Sequence, residues 1–176
     1  KSFGGLEMGF WGDDSGKNTS QQLYKCVSNY IGEDIYKDSF IFTSVRNPYS
    51  RAVSMYKHRS WWSSTKSFKD FCYAIKKEEY PSDCAKWHSS TLTEHIFDKD
   101  NNLKVDYVIK LENIQEDFNT VCDKIEIPRG RLAHLNKRVK WDKRKHYTEH
   151  YDDEKREIIA EKYAKDIEHF GYEFGE

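Results

Sequence analysis

The sequence predicts an α/β domain built around a mostly parallel sheet. Two short apolar runs, residues 39–45 and 106–111, lack strict polar–apolar alternation, which is typical of strands buried on both faces. Each run is followed directly by a segment whose apolar residues recur at helical spacing. Strand–helix units in this order favour parallel pairing. A chain of 176 residues has the length of one domain, so residues 1–176 are assigned to a single unit.

The first part of the chain predicts a loop, a helix, a strand and a second helix. After a glycine-rich loop, a helix starts at Thr19 or Ser20 and ends at Gly32. Strand 39–45 comes next, and Pro48 stands at the first position of the second helix, where proline favours helix formation. The apolar face of that second helix consists of Tyr49, Ala52, Val53 and Tyr56.

The middle of the chain predicts a third helix and a long connection. The helix begins near Ser67 and carries an apolar face at helical spacing. Residues 79–104 are polar and predict irregular structure, with a turn at 98–102. The apolar face of the third helix is formed by Phe68, Phe71, Cys72 and Ile75.

The last part predicts a second strand and two more helices. Strand 106–111 leads into a helix that ends before Pro128, and a final helix runs from the capping residue Asp152 to Gly171. Because two strands alone make a poor sheet, we expect at least one further strand upstream of Lys1.

Charge and cysteine spacing argue against several protein classes. Lys and Arg total 29 against 30 Asp and Glu, a balance that disfavours a dedicated nucleic-acid binder. No apolar run is long enough to span a membrane. The cysteines lack zinc-site spacing, so no metal site is expected. Three of them fall on apolar helix faces and predict buried thiols, whereas Cys84 is expected in an exposed loop. The three are Cys26, Cys72 and Cys122.

The junction of strand 39–45 with its helix is the best candidate for a ligand site. Arg46 follows the carboxyl end of a predicted parallel strand, where ligands of open α/β sheets bind. The helix N-terminus offers free N–H groups to a phosphate, and the spacing of Asn47, Ser50 or Arg51, and Ser54 places donors on one face. The alternative is an arginine that satisfies strand-end carbonyls beside merely exposed serines. Physical reasoning alone weighs the two equally.

Three segments of the chain carry a family resemblance. Residues 45–56, V-R-N-P-Y-S-R-A-V-S-M-Y, resemble the 3′-phosphate-binding motif R-[ND]-P-x-x-R-x-x-S-x-[YF] of sulfotransferases that use 3′-phosphoadenosine-5′-phosphosulfate. The likeness is closest to the carbohydrate, family 2-like branch. Residues 105–118 resemble the family's D-[FY]-[IV]-x-[RK]-[FL]-E-[ND] strand–helix segment, and residues 135–174 resemble its C-terminal end. Three segments in the family's order make the resemblance specific.

The resemblance implies a fold, a donor and a set of binding residues. The fold is the P-loop NTPase-like sulfotransferase fold, with a three-layer parallel sheet flanked by helices. The donor substrate is the phosphosulfate nucleotide, the acceptor is a carbohydrate or another hydroxyl compound, and no metal is needed. Arg46 and Ser54 would hold the 3′-phosphate, with Arg51 in support. Lys137 and Arg138 would add further charge to the nucleotide site.

The chain departs from the family pattern in two places. No donor loop of the K-x-G-x-T-S type follows a strand, so we expect the first strand and this loop to be missing or diverged, as in an N-terminally shortened form. Residues 17–20, K-N-T-S, carry asparagine where relatives place a histidine base. The alternative catalytic candidates are Glu7, Asp13, Asp14 and Lys17.

A basic segment and several aromatic residues leave two interpretations open. Residues 129–147 hold eight Lys and Arg against one Asp, which predicts either a groove for an anion or a solvated loop balanced by the acidic last helix. Trp61 and Trp62 favour a small core cluster over sugar stacking. Glu112 is expected to orient backbone N–H groups. Trp87, His88 and His95 lie in the connection where relatives choose acceptors, although a lone histidine in a loop is more often simply solvated.

Two functions from different classes therefore stand at this point. The first is a sulfotransferase that moves a sulfuryl group from the nucleotide donor to a carbohydrate hydroxyl. The second is a catalytically impaired module of the same fold that binds nucleotide or an anionic glycan. Binding of nucleic acid is disfavoured by the near-neutral charge. The compartment stays open between the Golgi lumen, for a eukaryotic secretory enzyme, and the cytoplasm, for a bacterial one.

Overall fold

The computed structural model of the chain describes residues 32–57, 62, 65–133 and 145–176. Within these ranges the chain forms two strands and eight α-helices. Two single 3₁₀ turns, Leu111–Asn113 and Tyr147–His150, lie between them. In chain order the elements are α1 (Glu33–Asp38), β1 (Phe42–Val45), α2 (Pro48–Lys57), α3 (Phe68–Lys76), α4 (Asp83–His88), α5 (Thr93–Ile96), β2 (Tyr107–Lys110), α6 (Ile114–Lys124), α7 (Asp153–Lys162) and α8 (Ala164–Phe170).

The two strands pair in parallel. Phe42 lies opposite Tyr107, and Val45 lies opposite Lys110, so both carboxyl ends meet at one edge. Helix α2 follows β1, and α6 follows β2 after a 3₁₀ turn. A mixed helix and sheet architecture with a small parallel sheet agrees with the predicted α/β class. The three-layer arrangement and the P-loop-like details stay predictions.

Local capping explains where several helices begin and end. The Ser67 hydroxyl accepts a hydrogen bond from the Asp70 N–H at 3.1 Å, and the Asp70 carboxylate accepts one from the Ser67 N–H at 2.9 Å. This reciprocal capping box starts α3 where the sequence predicts it. Helix α8 ends at Gly171, whose φ of 62° lies in the left-handed region that glycine adopts without steric cost. Both predicted boundaries are confirmed.

The larger hydrophobic core lies between α2, α3 and α7. Its centre is aromatic, because Trp62 and Phe71 are both buried with ring centroids 4.6 Å apart. The predicted core role of Trp62 is confirmed. A smaller cluster of Val45, Ile96 and Tyr172 fixes the end of β1 against α5 and the C-terminal segment. The two clusters flank the junction of β1 with α2.

Three predictions about local structure are wrong. Residues 79–104 are not irregular throughout, because they contain α4 and α5 and a bridge between Phe97 and Leu103. Cys84 is not an exposed loop residue, since it lies on α4 and is half-buried. The predicted final helix is interrupted at Tyr163, which separates α7 from α8.

Other predictions are confirmed or fall outside the described residues. Cys72 and Cys122 are buried, as expected. The turn at 98–102 is present, and the Asp98 carboxylate accepts a hydrogen bond from the Asn102 N–H at 2.8 Å. The helix predicted over residues 19–31 and the thiol of Cys26 lie outside the described residues. Among the described helices, none has the length and apolar character needed to cross a bilayer.

Candidate functional site

The site is built at the carboxyl end of β1, where Asn47 caps helix α2. The Asn47 side-chain oxygen accepts hydrogen bonds from the N–H groups of Tyr49 at 3.0 Å and Ser50 at 3.4 Å. Its amide group donates to the Glu173 carbonyl oxygen at 2.9 Å. Asn47 is fully buried, so its side chain serves the helix start and not an outside ligand.

The prediction that free N–H groups of this helix N-terminus face a phosphate is wrong. Asn47 itself accepts the first two helical N–H groups, and Pro48 has none. The Asn47 N–H donates to a carboxylate oxygen of Glu112 at 2.8 Å. This contact confirms that Glu112 orients a backbone N–H group. Any anion at this edge must therefore be held by side chains.

Arg46 is the first of those side chains. Its Nε and Nη2 atoms both donate to the Ser50 hydroxyl oxygen, at 3.0 and 2.7 Å. These two bonds use two of the five guanidinium N–H groups and fix the plane of the group. Burial is the main cause that lowers the pKa of Arg46; Glu112 partly offsets this and Arg51 adds to it. Arg46 is thus a partly desolvated cation with a fixed orientation.

A cavity of about 320 Å³ brings the predicted donors together. Its volume lies near the lower end of the range for small-molecule pockets, about 300–1,000 Å³. One wall comes from Arg46 and from helix α2, which contributes Arg51 and Ser54. Ser54 is exposed, so its hydroxyl is accessible. The eight-residue spacing of Arg46 and Ser54 therefore does place both at one cavity.

Arg51 contributes a second guanidinium to the same cavity. Its Nη2 atom donates to the His88 carbonyl oxygen at 2.7 Å, and its Nη1 atom lies 3.8 Å from a carboxylate oxygen of Asp166. Nη1 is buried and has no hydrogen-bond partner among the described residues. Asp166 is thus the charge partner of the buried Nη1, while the Arg51 side chain as a whole adds positive charge to the cavity.

The opposite wall comes from α4, α5 and the loop that joins them. Trp87 and His95 lie in this wall, with their ring centroids 5.2 Å apart. The Ser90 hydroxyl lies 2.7 Å from the Nε2 atom of His95. Sequence reasoning placed Trp87 and His95 in a variable loop and did not bring them to Arg46. The wall is completed by His88 and Leu92.

His95 is expected to be neutral throughout the ordinary pH range. Burial, with smaller effects of Arg51 and His88, lowers its pKa from 6.5 to about 4. Because the unfolded chain binds the proton more tightly, the free energy of unfolding should fall as the pH drops from 6.5 towards 4. For this group alone the slope is about 1.4 kcal/mol per pH unit.

Urea unfolding at several pH values measures this contribution. His95→Gln removes the titrating group, so the variant should lose less stability than the wild type between pH 6.5 and pH 5. Equal slopes for the two proteins would contradict the expected burial of His95.

Further positive charge lies beside Arg46. Burial, together with the charges of Arg46 and Lys145, lowers the pKa of Lys57 at the end of α2. Lys145 belongs to the basic segment 129–147 and is part of its described end. At the other end, Arg129 binds the Asp123 carboxylate at 2.6 Å. Lys145 thus adds charge near Lys57, whereas the charge of Arg129 is balanced by Asp123.

The sequence matches a known protein family over most of its length. The model described as "Sulfotransferase family" matches residues 13–173, which is most of the chain. The chain belongs to the sulfotransferase family. The match supports the family 2-like assignment indicated by residues 45–56. No curated protein and no solved structure gives a significant match to the chain.

Several residues predicted for a sulfotransferase site lie outside the described residues. Among the described residues, no group of three or more His, Cys, Asp or Glu side chains is placed to hold a metal. The hydrogen bonds between Arg46 and Ser50 were not predicted, because the sequence indicated Ser50 only as a possible ligand donor. The four-residue spacing of the two residues is the one sequence feature that hints at their contact. The candidates outside the described residues are Glu7, Asp13, Asp14, Lys17, Lys137 and Arg138.

Proposed function

We propose that this sulfotransferase-family chain binds 3′-phosphoadenosine-5′-phosphosulfate and transfers its sulfuryl group to a carbohydrate hydroxyl. The observation that carries the proposal is the cavity onto which Arg46, Arg51 and Ser54 converge. Two guanidinium groups at one cavity repel each other, and Arg51 adds to the lowering of the Arg46 pKa that burial mainly causes. A phosphate monoester bears close to two negative charges and accepts several hydrogen bonds, so it suits this pair.

Different residues of the chain would contribute different interactions to binding of the donor nucleotide. The guanidinium of Arg46 is oriented before the ligand arrives, because Ser50 already accepts two of its hydrogen bonds. The guanidinium of Arg51 and the hydroxyl of Ser54, which line the same cavity, would contribute charge and a hydrogen bond to the same 3′-phosphate. Such preorganisation lowers the entropy cost of binding. Lys137 and Arg138 are proposed to supplement this charge from the basic segment.

The transfer itself needs a cation and a base at the other end of the nucleotide. The acceptor oxygen attacks sulfur, the bond from sulfur to the 5′-phosphate oxygen breaks, and the hydroxyl proton passes to a base. The products are a sulfate ester and adenosine 3′,5′-bisphosphate. We propose Lys17 as the cation, and the carboxylates of Glu7, Asp13 and Asp14 as the candidates for the base.

Calorimetric titration with two nucleotides tests the binding step. The wild-type chain should bind adenosine 3′,5′-bisphosphate about 100-fold more tightly than adenosine 5′-monophosphate, which lacks the 3′-phosphate. Equal affinities would overturn the assigned 3′-phosphate site. Incubation with labelled donor and a panel of glycans then tests transfer. Bisphosphate binding without any transfer would favour the second candidate, a nucleotide-binding module without catalysis.

Ser50→Ala should weaken bisphosphate binding by about three- to tenfold, although Ser50 is not expected to touch the ligand. The variant removes the acceptor that orients Arg46, a contact worth about 1 kcal/mol. Ser39→Ala is the matched control, since its hydroxyl donates to the Ile35 carbonyl at the end of α1. If both variants bind like the wild type, Ser50 does not orient Arg46.

A further inference from the structure

The cavity wall formed by α4, α5 and their connecting loop, called the second wall below, is anchored by a buried carboxylate that lies outside the cavity. Asp166 lies on α8 and is fully buried. Its two oxygens accept hydrogen bonds from the backbone N–H groups of Leu92 at 2.8 Å and Thr93 at 2.9 Å. These are the N–H groups at the start of α5, which have no acceptor within their own helix. Asp166 thereby fixes the backbone that carries Leu92 and His95.

The same carboxylate also faces the wall formed by Arg46 and helix α2, called the first wall below. One of its oxygens lies 3.8 Å from Nη1 of Arg51, whose Nη2 donates to the His88 carbonyl at 2.7 Å. A buried carboxylate needs hydrogen bonds and a counter-charge, and here it obtains both from the two walls. Asp166 therefore touches one wall through backbone N–H groups and the other through a guanidinium.

Tyr163 strengthens this connection from the turn between α7 and α8. Its hydroxyl donates to the Ser89 carbonyl oxygen at 3.0 Å, and its ring lies 5.5 Å from the guanidinium carbon of Arg51. Tyr163 is fully buried, so these contacts are shielded from water. The C-terminal segment thus holds residues 89–93 at three points, through Tyr163 and the two oxygens of Asp166.

We propose that Asp166 is a positioning residue that sets the width of the cavity by holding Arg51 and the second wall in one arrangement. The identity of the ligand rests on the proposed function, whereas the positioning role does not. Asp166 does not line the cavity, so it acts through Arg51 and through the backbone at Leu92 and Thr93. Without it, the second wall loses its two backbone anchors at Leu92 and Thr93, and Arg51 loses its counter-charge.

Asp166→Asn tests the proposal with little change in volume. The asparagine oxygen can accept one of the two N–H groups, but the side-chain NH₂ cannot accept the other. The second wall should then move away from α2 and admit water around His95. The His95 pKa, measured by NMR titration of its ring protons, should rise from about 4 by at least one unit. The dissociation constant for adenosine 3′,5′-bisphosphate should rise about fivefold or more.

Asp153→Asn is the matched control, because the Asp153 side chain is 99% exposed on α7. It should leave both the His95 pKa and the dissociation constant unchanged. Circular dichroism and thermal unfolding establish that each variant is folded at the temperature of measurement. If folded Asp166→Asn keeps either the wild-type His95 pKa or the wild-type bisphosphate affinity, the positioning role is overturned.

Hydrogen exchange in the wild-type chain tests the proposal without any substitution. The amides of Leu92 and Thr93 should exchange slowly, although both lie at the start of a four-residue helix. Exchange as fast as in an exposed loop would overturn the anchor role of Asp166, even if Asp166→Asn does not fold. A wild-type chain that fails to bind the bisphosphate would refute the proposed function alone, since the His95 titration and the exchange rates still report on Asp166.

Discussion

Arg46→Ala should weaken binding of adenosine 3′,5′-bisphosphate by about 100-fold. Hydrogen bonds between ionised partners contribute about 1.5–3 kcal/mol each, and the guanidinium retains three N–H groups beyond those that Ser50 accepts. The side chain is partly desolvated, so its attraction for a phosphate is stronger than that of an exposed arginine. Calorimetric titration of the variant measures the loss directly.

The control for Arg46→Ala is another arginine removed from a helix surface. Arg156 lies on α7, pairs with Asp153 at 3.6 Å and is half exposed. Arg156→Ala should therefore change the bisphosphate affinity by less than about twofold. Adenosine 5′-monophosphate should bind wild type and Arg46→Ala equally, because it has no 3′-phosphate to lose. An Arg46→Ala variant with wild-type bisphosphate affinity would remove the basis of the proposed function.

Phe71→Ala should lower the free energy of unfolding by about 3–5 kcal/mol. Phe71 is fully buried on α3, and its ring centroid lies 4.6 Å from that of Trp62 and 5.7 Å from that of Phe68. Truncation removes aromatic area and leaves a cavity that these rings cannot fill without leaving their packed orientations.

Urea unfolding followed by far-ultraviolet circular dichroism measures this loss. Ile127→Ala is the control, since Ile127 is 47% exposed beyond α6, and it should cost less than about 1 kcal/mol. A Phe71→Ala variant as stable as the control would mean that the core between α2, α3 and α7 is not the main source of stability.

Features governed by neighbouring residues could be predicted from the sequence. The start of α3 near Ser67, the stop at Gly171 and the two parallel strands depend on local chemistry and on apolar runs, and the sequence placed all of them close to where the structure has them. The convergence of Arg46 and Ser54 on one cavity also follows from position, because Arg46 directly follows the end of β1 and Ser54 lies on the helix that starts there.

Features governed by distant residues could not be predicted. Helix α5 is only four residues long and begins where Asp166, more than seventy positions later, accepts its first N–H groups. The Glu112 carboxylate accepts the Asn47 N–H across a similar separation, and although the sequence indicated that Glu112 orients backbone N–H groups, it did not indicate which one. Hydrogen bonds that span such separations leave no periodic signal, so the second cavity wall emerged only from the structure.

The parallel pairing of β1 with β2 has a consequence for how the chain acquires its site. Phe42 and Tyr107 must meet across more than sixty intervening residues, whereas α3 and its capping box form from near neighbours. Closing so long a loop is entropically costly and slow. We therefore expect the helices to gain structure early and the strand pair to dock late, which leaves folding intermediates without a site for nucleotide. Nucleotide would then slow unfolding of the native chain without accelerating the early steps of refolding.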